Sequence, residues 1–161
     1  MAMDSPIISI STESARMKKP KFIVCESSTL WACHLSQHCR EESWRVIQLR
    51  SPVQSWKELE RFPASLVVWE LTKSTIGSII ESLIRATNRF PLARSVVVGT
   101  RDWCPYEWVL REAGAVDAIF SPRDLGRLTR LAKRHFESVP IAPQSWNERI
   151  WSRLPWGKEG S

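Results

Sequence analysis

Between residues 20 and 138, short apolar runs alternate with longer segments whose apolar residues recur every three or four positions. Phe22-Ile23-Val24-Cys25 is apolar throughout, the pattern of a strand buried on both faces. Ser27, Ser28 and Thr29 follow as candidate caps for a helix from about Leu30 to Glu42. Trp44 to Leu49 reads as a second strand. Ser51-Pro52 then supplies a cap and a first-turn proline for a helix in which Val53, Trp56 and Leu59 recur at helical spacing, and Pro63 blocks its continuation. Leu66-Val67-Val68-Trp69 is a third strand. Ser74 or Thr75 can cap the next helix, where Ile76, Ile79, Ile80, Leu83 and Ile84 keep the i, i+3, i+4, i+7, i+8 pattern. Val96-Val97-Val98 is a fourth strand. Asp102 and Pro105 open a helix carrying Trp108, Val109 and Ala113, and Gly114 closes it in the left-handed conformation. Val116 to Phe120 is a fifth strand, and a last helix from about Asp124 to Phe136 turns Leu125, Leu128, Leu131 and Ala132 inward.

The order is therefore βαβαβαβαβα, which predicts a parallel α/β sheet with helices on both faces. Right-handed crossovers leave few topologies for it. Residues 1–19 are polar, Ser-rich and aperiodic, and are expected to form a disordered lead. Residues 139–161 form a tail of a different kind. After Pro140 and Pro143, Ser145-Trp146-Asn147-Glu148 is a capping box, and Trp146, Ile150, Trp151 and Leu154 share the apolar face of a short helix that Pro155 stops. Large aromatic surfaces are costly to leave in water, so the tail either folds back on the domain or meets a partner.

Composition narrows the function classes. A chain of 161 residues with 43% hydrophobic content builds one core without disulfide or metal staples. It shows no secretory signal and no apolar run near the ~18 residues that span a bilayer, so a cytoplasmic protein with free thiols at its four cysteines is expected. The net charge of +6 favours acidic partners: nucleic acid, an anionic membrane surface or an acidic protein face. The basic residues are mostly scattered. On the last helix, however, Arg123, Arg127, Arg130 and Arg134 follow i, i+4, i+7, i+11 spacing and share one face, with Lys133 beside it. Such a stripe either docks acidic groups or is the solvated side of an amphipathic helix.

Five βα units in about 115 residues fit a flavodoxin-like sheet of order 2-1-3-4-5. Several stretches are similar to the receiver domain of two-component response regulators. Lys21 to Ser27 resembles the receiver's first strand, which ends in paired acids. Leu66-Val67-Val68-Trp69-Glu70-Leu71 resembles the third, which ends in the phospho-accepting Asp. Val96-Val97-Val98-Gly99 resembles the fourth, which ends in Ser or Thr. Ala113-Gly114-Ala115 through Ser121-Pro122 is similar to the family's Ala-Gly-Ala stretch leading to Lys-Pro. The resemblance covers residues 21 to about 137 and implies that fold. It also implies that the phosphorylation chemistry has been lost. The acid pair is Glu26 and Ser27, the acceptor position holds the longer Glu70, the hydroxyl position holds Gly99, and the lysine position holds Ser121. Phosphoryl transfer needs a Mg²⁺ held by acids, a correctly placed Asp and a cation. The family's switch aromatic corresponds to Ala118. The resemblance further raises a cis Ser121–Pro122 bond, because the analogous bond in receivers is cis.

Other constellations offer little chemistry. His34 and His38 lie at i, i+4 with Cys33, Cys39 and Cys25 nearby, yet the Cys-x-x-Cys spacing of zinc sites is absent, and the same residues suit the sheet-facing side of a helix. Cys104 sits beside a helix start, with no His placed near it by sequence. Glu26 and Glu70 are expected to lie at the carboxyl ends of neighbouring strands as a relic acidic pocket, neutralised by water, Lys73 or Arg101. The sequence thus points to a degenerate receiver, a pseudo-receiver without cofactor, metal or catalytic residues, that regulates by binding a protein partner, with homodimerisation open to it. A nucleic-acid-associated basic protein and a small enzyme using the strand-end cleft are the alternatives. The first lacks a recognition motif and the second a Gly-rich phosphate loop.

Overall fold

A computed structural model describes residues 18–139 of the chain. The lead up to residue 17 and the tail from residue 140, with Trp146, Ile150, Trp151 and Leu154, lie outside the described residues. The strands are β1 (Phe22–Cys25), β2 (Val46–Leu49), β3 (Leu66–Glu70), β4 (Arg94–Val98) and β5 (Ala115–Ile119). They form one five-stranded sheet of order β2-β1-β3-β4-β5, and every pairing is parallel. This is the flavodoxin-like order 2-1-3-4-5 expected from the alternation of elements. The helices are α1 (Leu30–His38), α2 (Pro52–Arg61), α3 (Ile76–Arg89), α4 (Glu107–Glu112) and α5 (Leu125–Ser138).

The pleat divides the core in two. Phe22, Val24, Leu66, Val68, Val96, Val98 and Ile119 face α1 and α5. Ile23, Cys25, Val67, Trp69, Val97, Ala115 and Ala118 face α2, α3 and α4. The three central strands are covered on both sides, which is why their sequences are continuous apolar runs. The outer strand β2 is only half-buried. Trp44 precedes it instead of belonging to it, and packs against Phe22 and Phe136 with ring centroids 5.8 and 5.4 Å away.

Several element details differ from the periodicity. Helix α1 stops at His38 because Cys39 turns into the core and Glu42 N–H closes a turn on the Cys39 carbonyl at 3.1 Å. Its buried side is Trp31, Ala32 and Leu35, followed by Cys39, whereas His38 points to solvent. In α2, Trp56 and Leu59 are buried, but Val53, in the first turn, lies beyond the sheet and is 63% exposed. In α3, Ile79, Leu83 and Ala86 carry the packing and Ile84 is exposed, because the buried stripe follows one narrow line along the helix. The segment opened by Asp102 and Pro105 first forms a 3₁₀ helix over Arg101–Tyr106, since Pro105 lacks the N–H that an α-turn uses. The phase shift turns Leu110 inward and leaves Trp108 68% exposed. Gly114 does adopt a positive φ of +120°, where a Cβ would collide with the Thr87 hydroxyl.

Among the described residues no peptide bond is cis. The Ser121–Pro122 expectation is therefore corrected. Without a lysine to aim into the strand-end cleft, Ser121 serves as a cap: its hydroxyl accepts the Arg123 N–H at 3.3 Å, and Pro122 opens a short 3₁₀ turn into α5. The trans isomer is also the lower-energy amide for most X–Pro bonds. No described helix is long and apolar enough to cross a membrane.

Candidate functional site

Parallel strands deliver their last residues to one edge of the sheet. Cys25 of β1 pairs with Trp69 of β3, so Glu26 and Glu70 leave adjacent strands at the same level. The structure thus brings the two carboxylates together as their sequence positions imply. What they do there was not legible from spacing.

Glu26 is 2% exposed and acts as the cap of α1. Its Oε2 accepts the Trp31 N–H at 2.9 Å and its Oε1 accepts the Ala32 N–H at 3.0 Å. Gln48 Nε2 adds a third bond at 3.2 Å. The helix N-terminus supplies the positive potential that a buried carboxylate needs in place of a cation. The serines and threonine expected to cap this helix do not. Thr29 occupies the N-cap without a side-chain bond, and Ser28 Oγ reaches Leu30 N only at 3.5 Å.

Glu70 holds the other side of the β1–α1 loop. Its Oε2 accepts from Ser27 N–H at 2.8 Å and from Ser27 Oγ–H at 3.0 Å, and its Oε1 accepts from Ser28 Oγ–H at 2.9 Å. Burial pushes the Glu70 carboxyl up, but the Ser27 N–H and the Ser28 and Ser27 hydroxyls more than offset it, leaving it below the ordinary carboxylate value. Lys73 and Arg101, the expected neutralising cations, are not the partners; backbone and hydroxyl donors are. The added methylene of Glu has a structural consequence here: the carboxylate reaches across to the loop.

The remaining positions follow suit. Gly99 is buried between Leu71 and Trp103, and a Cβ there would lie 3.2 Å from the Leu71 carbonyl oxygen and 3.4 Å from Trp103 Cδ1. A hydroxyl-bearing residue would press on both. Thr100, one residue on, is exposed and contributes with Leu71, Thr72, Lys73, Asp102, Trp103 and Tyr106 to a shallow cavity of about 400 Å³. Cys25 and Cys39 are buried, which raises both thiols, Cys39 to about 11. No three His, Cys, Asp or Glu side chains converge on a common point among the described residues.

A second region lies along α5. Arg127, Arg130 and Arg134 do share a side of the helix, and they face a groove of about 550 Å³ with Arg94 from the start of β4 on its far side and Val116 and Leu131 among its lining residues. Arg123 is exposed in the preceding 3₁₀ turn and does not line it. Asp117, 9% exposed at its side chain, accepts from Arg127 at 2.6 Å and from Arg111 at 2.9 Å. Arg94 and Asp117 escaped the sequence reading. A carboxylate inside an apolar strand was the signal for Asp117, because a buried charge demands a partner. Nothing in the sequence paired Arg94 with α5. At the end of the groove His135 donates from Nε2 to the Ala64 carbonyl at 2.8 Å; burial lowers its pKa despite that bond, and Arg94 lowers it further.

Comparison with known proteins agrees with this architecture. No family model matches the sequence, and no curated protein matches it. Solved structures do. A response regulator from Thermotoga maritima superposes with a TM-score of 0.64 at 20% identity, over 75% of this chain and 100% of that one. A CheY-like protein, TadZ, from Pseudomonas aeruginosa gives 0.61 at 18% identity, over 78% and 100%. A structure described as a novel family of redox sensors in the streptococci that evolved from two-component response regulators gives 0.57 at 15% identity, over 73% and 51%. At these identities the likeness establishes the fold, which is that of CheY-like receiver domains.

Proposed function

We propose that this chain is a receiver-like regulatory module that works by binding a protein partner, without phosphorylation and without catalysing a reaction. One observation carries the proposal: both strand-end carboxylates are consumed by bonds within the protein. Glu26 is bonded to the first turn of α1 and to Gln48, and Glu70 to Ser27 and Ser28. A Mg²⁺ ion demands several oxygens in near-octahedral geometry, and binding one here would strip donors from groups that hold the loop. The nucleophile's oxygens are turned to the loop, and the position of the charge-neutralising lysine is a capping serine. Receiver-like folds serve two-component signalling, and one neighbour is described as a redox sensor evolved from such regulators, so reuse of the fold has precedent.

Incubation with acetyl phosphate and Mg²⁺ followed by intact-mass measurement tests the reading. The expected result is an unmodified chain. A stoichiometric phosphoryl adduct that maps to Glu70 would overturn it.

A further inference from the structure

We infer that the groove between α5 and the β4–β5 edge is a docking site for an acidic protein segment that also carries an apolar side chain. The inference rests on the module reading above and supplies its partner chemistry. Four guanidinium groups, those of Arg94, Arg127, Arg130 and Arg134, surround the groove, against one carboxylate, Asp117. That carboxylate is already engaged by Arg127 and Arg111. The Arg94 guanidinium donates to the Pro91 and Ala93 carbonyls, both at 3.1 Å, and among the described residues no carboxylate pairs with Arg94, Arg130 or Arg134. Other exposed arginines are mixed: Arg61, Arg89 and Arg111 each pair with a Glu, whereas Arg40, Arg45, Arg50, Arg85, Arg101 and Arg123 have no carboxylate partner among the described residues. What marks the groove is that four guanidinium groups line one concavity.

The lining decides between kinds of anion. Val116 and Leu131 add apolar surface to the guanidinium lining, and Asp117 is already paired with Arg127 and Arg111. A phosphate backbone, uniformly charged and strongly hydrated, gains nothing from the apolar surface. A peptide with carboxylates flanking an apolar residue meets both the remaining guanidinium groups and that surface. Arg130 and Arg134 are one helical turn apart, about 6 Å along the axis, so acids four apart on a partner helix or two apart on a strand match them. Guanidinium forks favour bidentate carboxylate contacts, which orient the segment as well as hold it.

Fluorescence anisotropy on the full chain tests this with a labelled helical peptide of about twelve residues carrying Glu at i and i+4 around a central Leu. Two control peptides replace Glu by Gln or Leu by Ser, and a short DNA duplex is the competing polyanion. Saturable binding is expected for the first peptide, weaker for both controls and for DNA, and falling with added salt. Reversing Arg130 and Arg134 to Glu should weaken it on the order of tenfold or more, while Arg123→Glu, outside the groove, should leave it nearly unchanged. Equal binding by wild type and the double reversal would overturn the inference, as would tighter binding of DNA than of the peptide, or no binding of the peptide at all. The module reading stands or falls separately, on the acetyl phosphate experiment, since a chain that stays unmodified yet ignores the peptide loses only the groove.

Discussion

At the carboxyl end of the sheet, two carboxylates sit at the strand tips and every one of their oxygens is bonded to the protein itself. Along α5, Arg127 meets Asp117, but Arg130 and Arg134 face the groove with no acid to meet them among the described residues. The two regions differ in where their electrostatic partners come from. The strand-end rim is internally satisfied, so its charges hold the fold. The α5 side leaves charge unsatisfied, so its potential is directed outward. The fold is shared with solved response regulators, and within it the strand-end rim and the α5 side differ in this respect.

The sharpest way to break the contrast is to remove the acid that caps α1. Glu26→Ala leaves the Trp31 and Ala32 N–H groups without an acceptor in a buried site, and should cost about 2–3 kcal/mol of unfolding free energy. Urea denaturation followed by circular dichroism measures it. A loss below about 0.5 kcal/mol would mean the rim is not a structural device.

A smaller effect is expected at Glu70, which is only half-buried. Its folded-state pKa is depressed, so its contribution is complete above the unfolded-state value of 4.5 and is lost as pH falls through the folded value. Wild type should therefore lose stability on acidification more steeply than Glu70→Gln, with a difference at neutral pH of about 1 kcal/mol or less after solvent screening. Thermal melts from neutral pH to below pH 4.5 check this. Parallel acid limbs for the two proteins would contradict the hydrogen-bond assignment.

The smallest effect sharpens the comparison from the other side. The Arg130→Glu, Arg134→Glu double variant should change stability by no more than about 0.5 kcal/mol, because neither side chain supports a described internal ion pair. A large loss in the same urea titration would make these arginines part of the fold and not of an interface.

The alternation of apolar runs with helical periodicity, read along the chain alone, determined the five strands and the helices between them and fitted the order 2-1-3-4-5, while the helix faces followed it only in part: Val53, Ile84 and Trp108 turn outward. Burial on both sides of a parallel sheet forces continuous apolar strands, and a 3.6-residue repeat forces an amphipathic helix, so local pattern and fold are tied. The same reading placed Glu26 and Glu70 side by side and marked Arg123, Arg127, Arg130 and Arg134 as one stripe, of which all but Arg123 line the groove. It missed what depended on side chains meeting across the sheet or a loop. Glu26 reaches past Ser27 and Ser28 to cap α1, Glu70 bonds those two serines, Ser121–Pro122 stays trans, and Trp108 turns outward after a proline-induced 3₁₀ segment. Arg94, more than thirty residues before Arg127, closes the groove only because β4 and β5 are paired and α5 crosses their edge. The tertiary structure decided these points because a hydrogen bond or an ion pair is fixed by distance in space, and separation along the sequence carries no record of it.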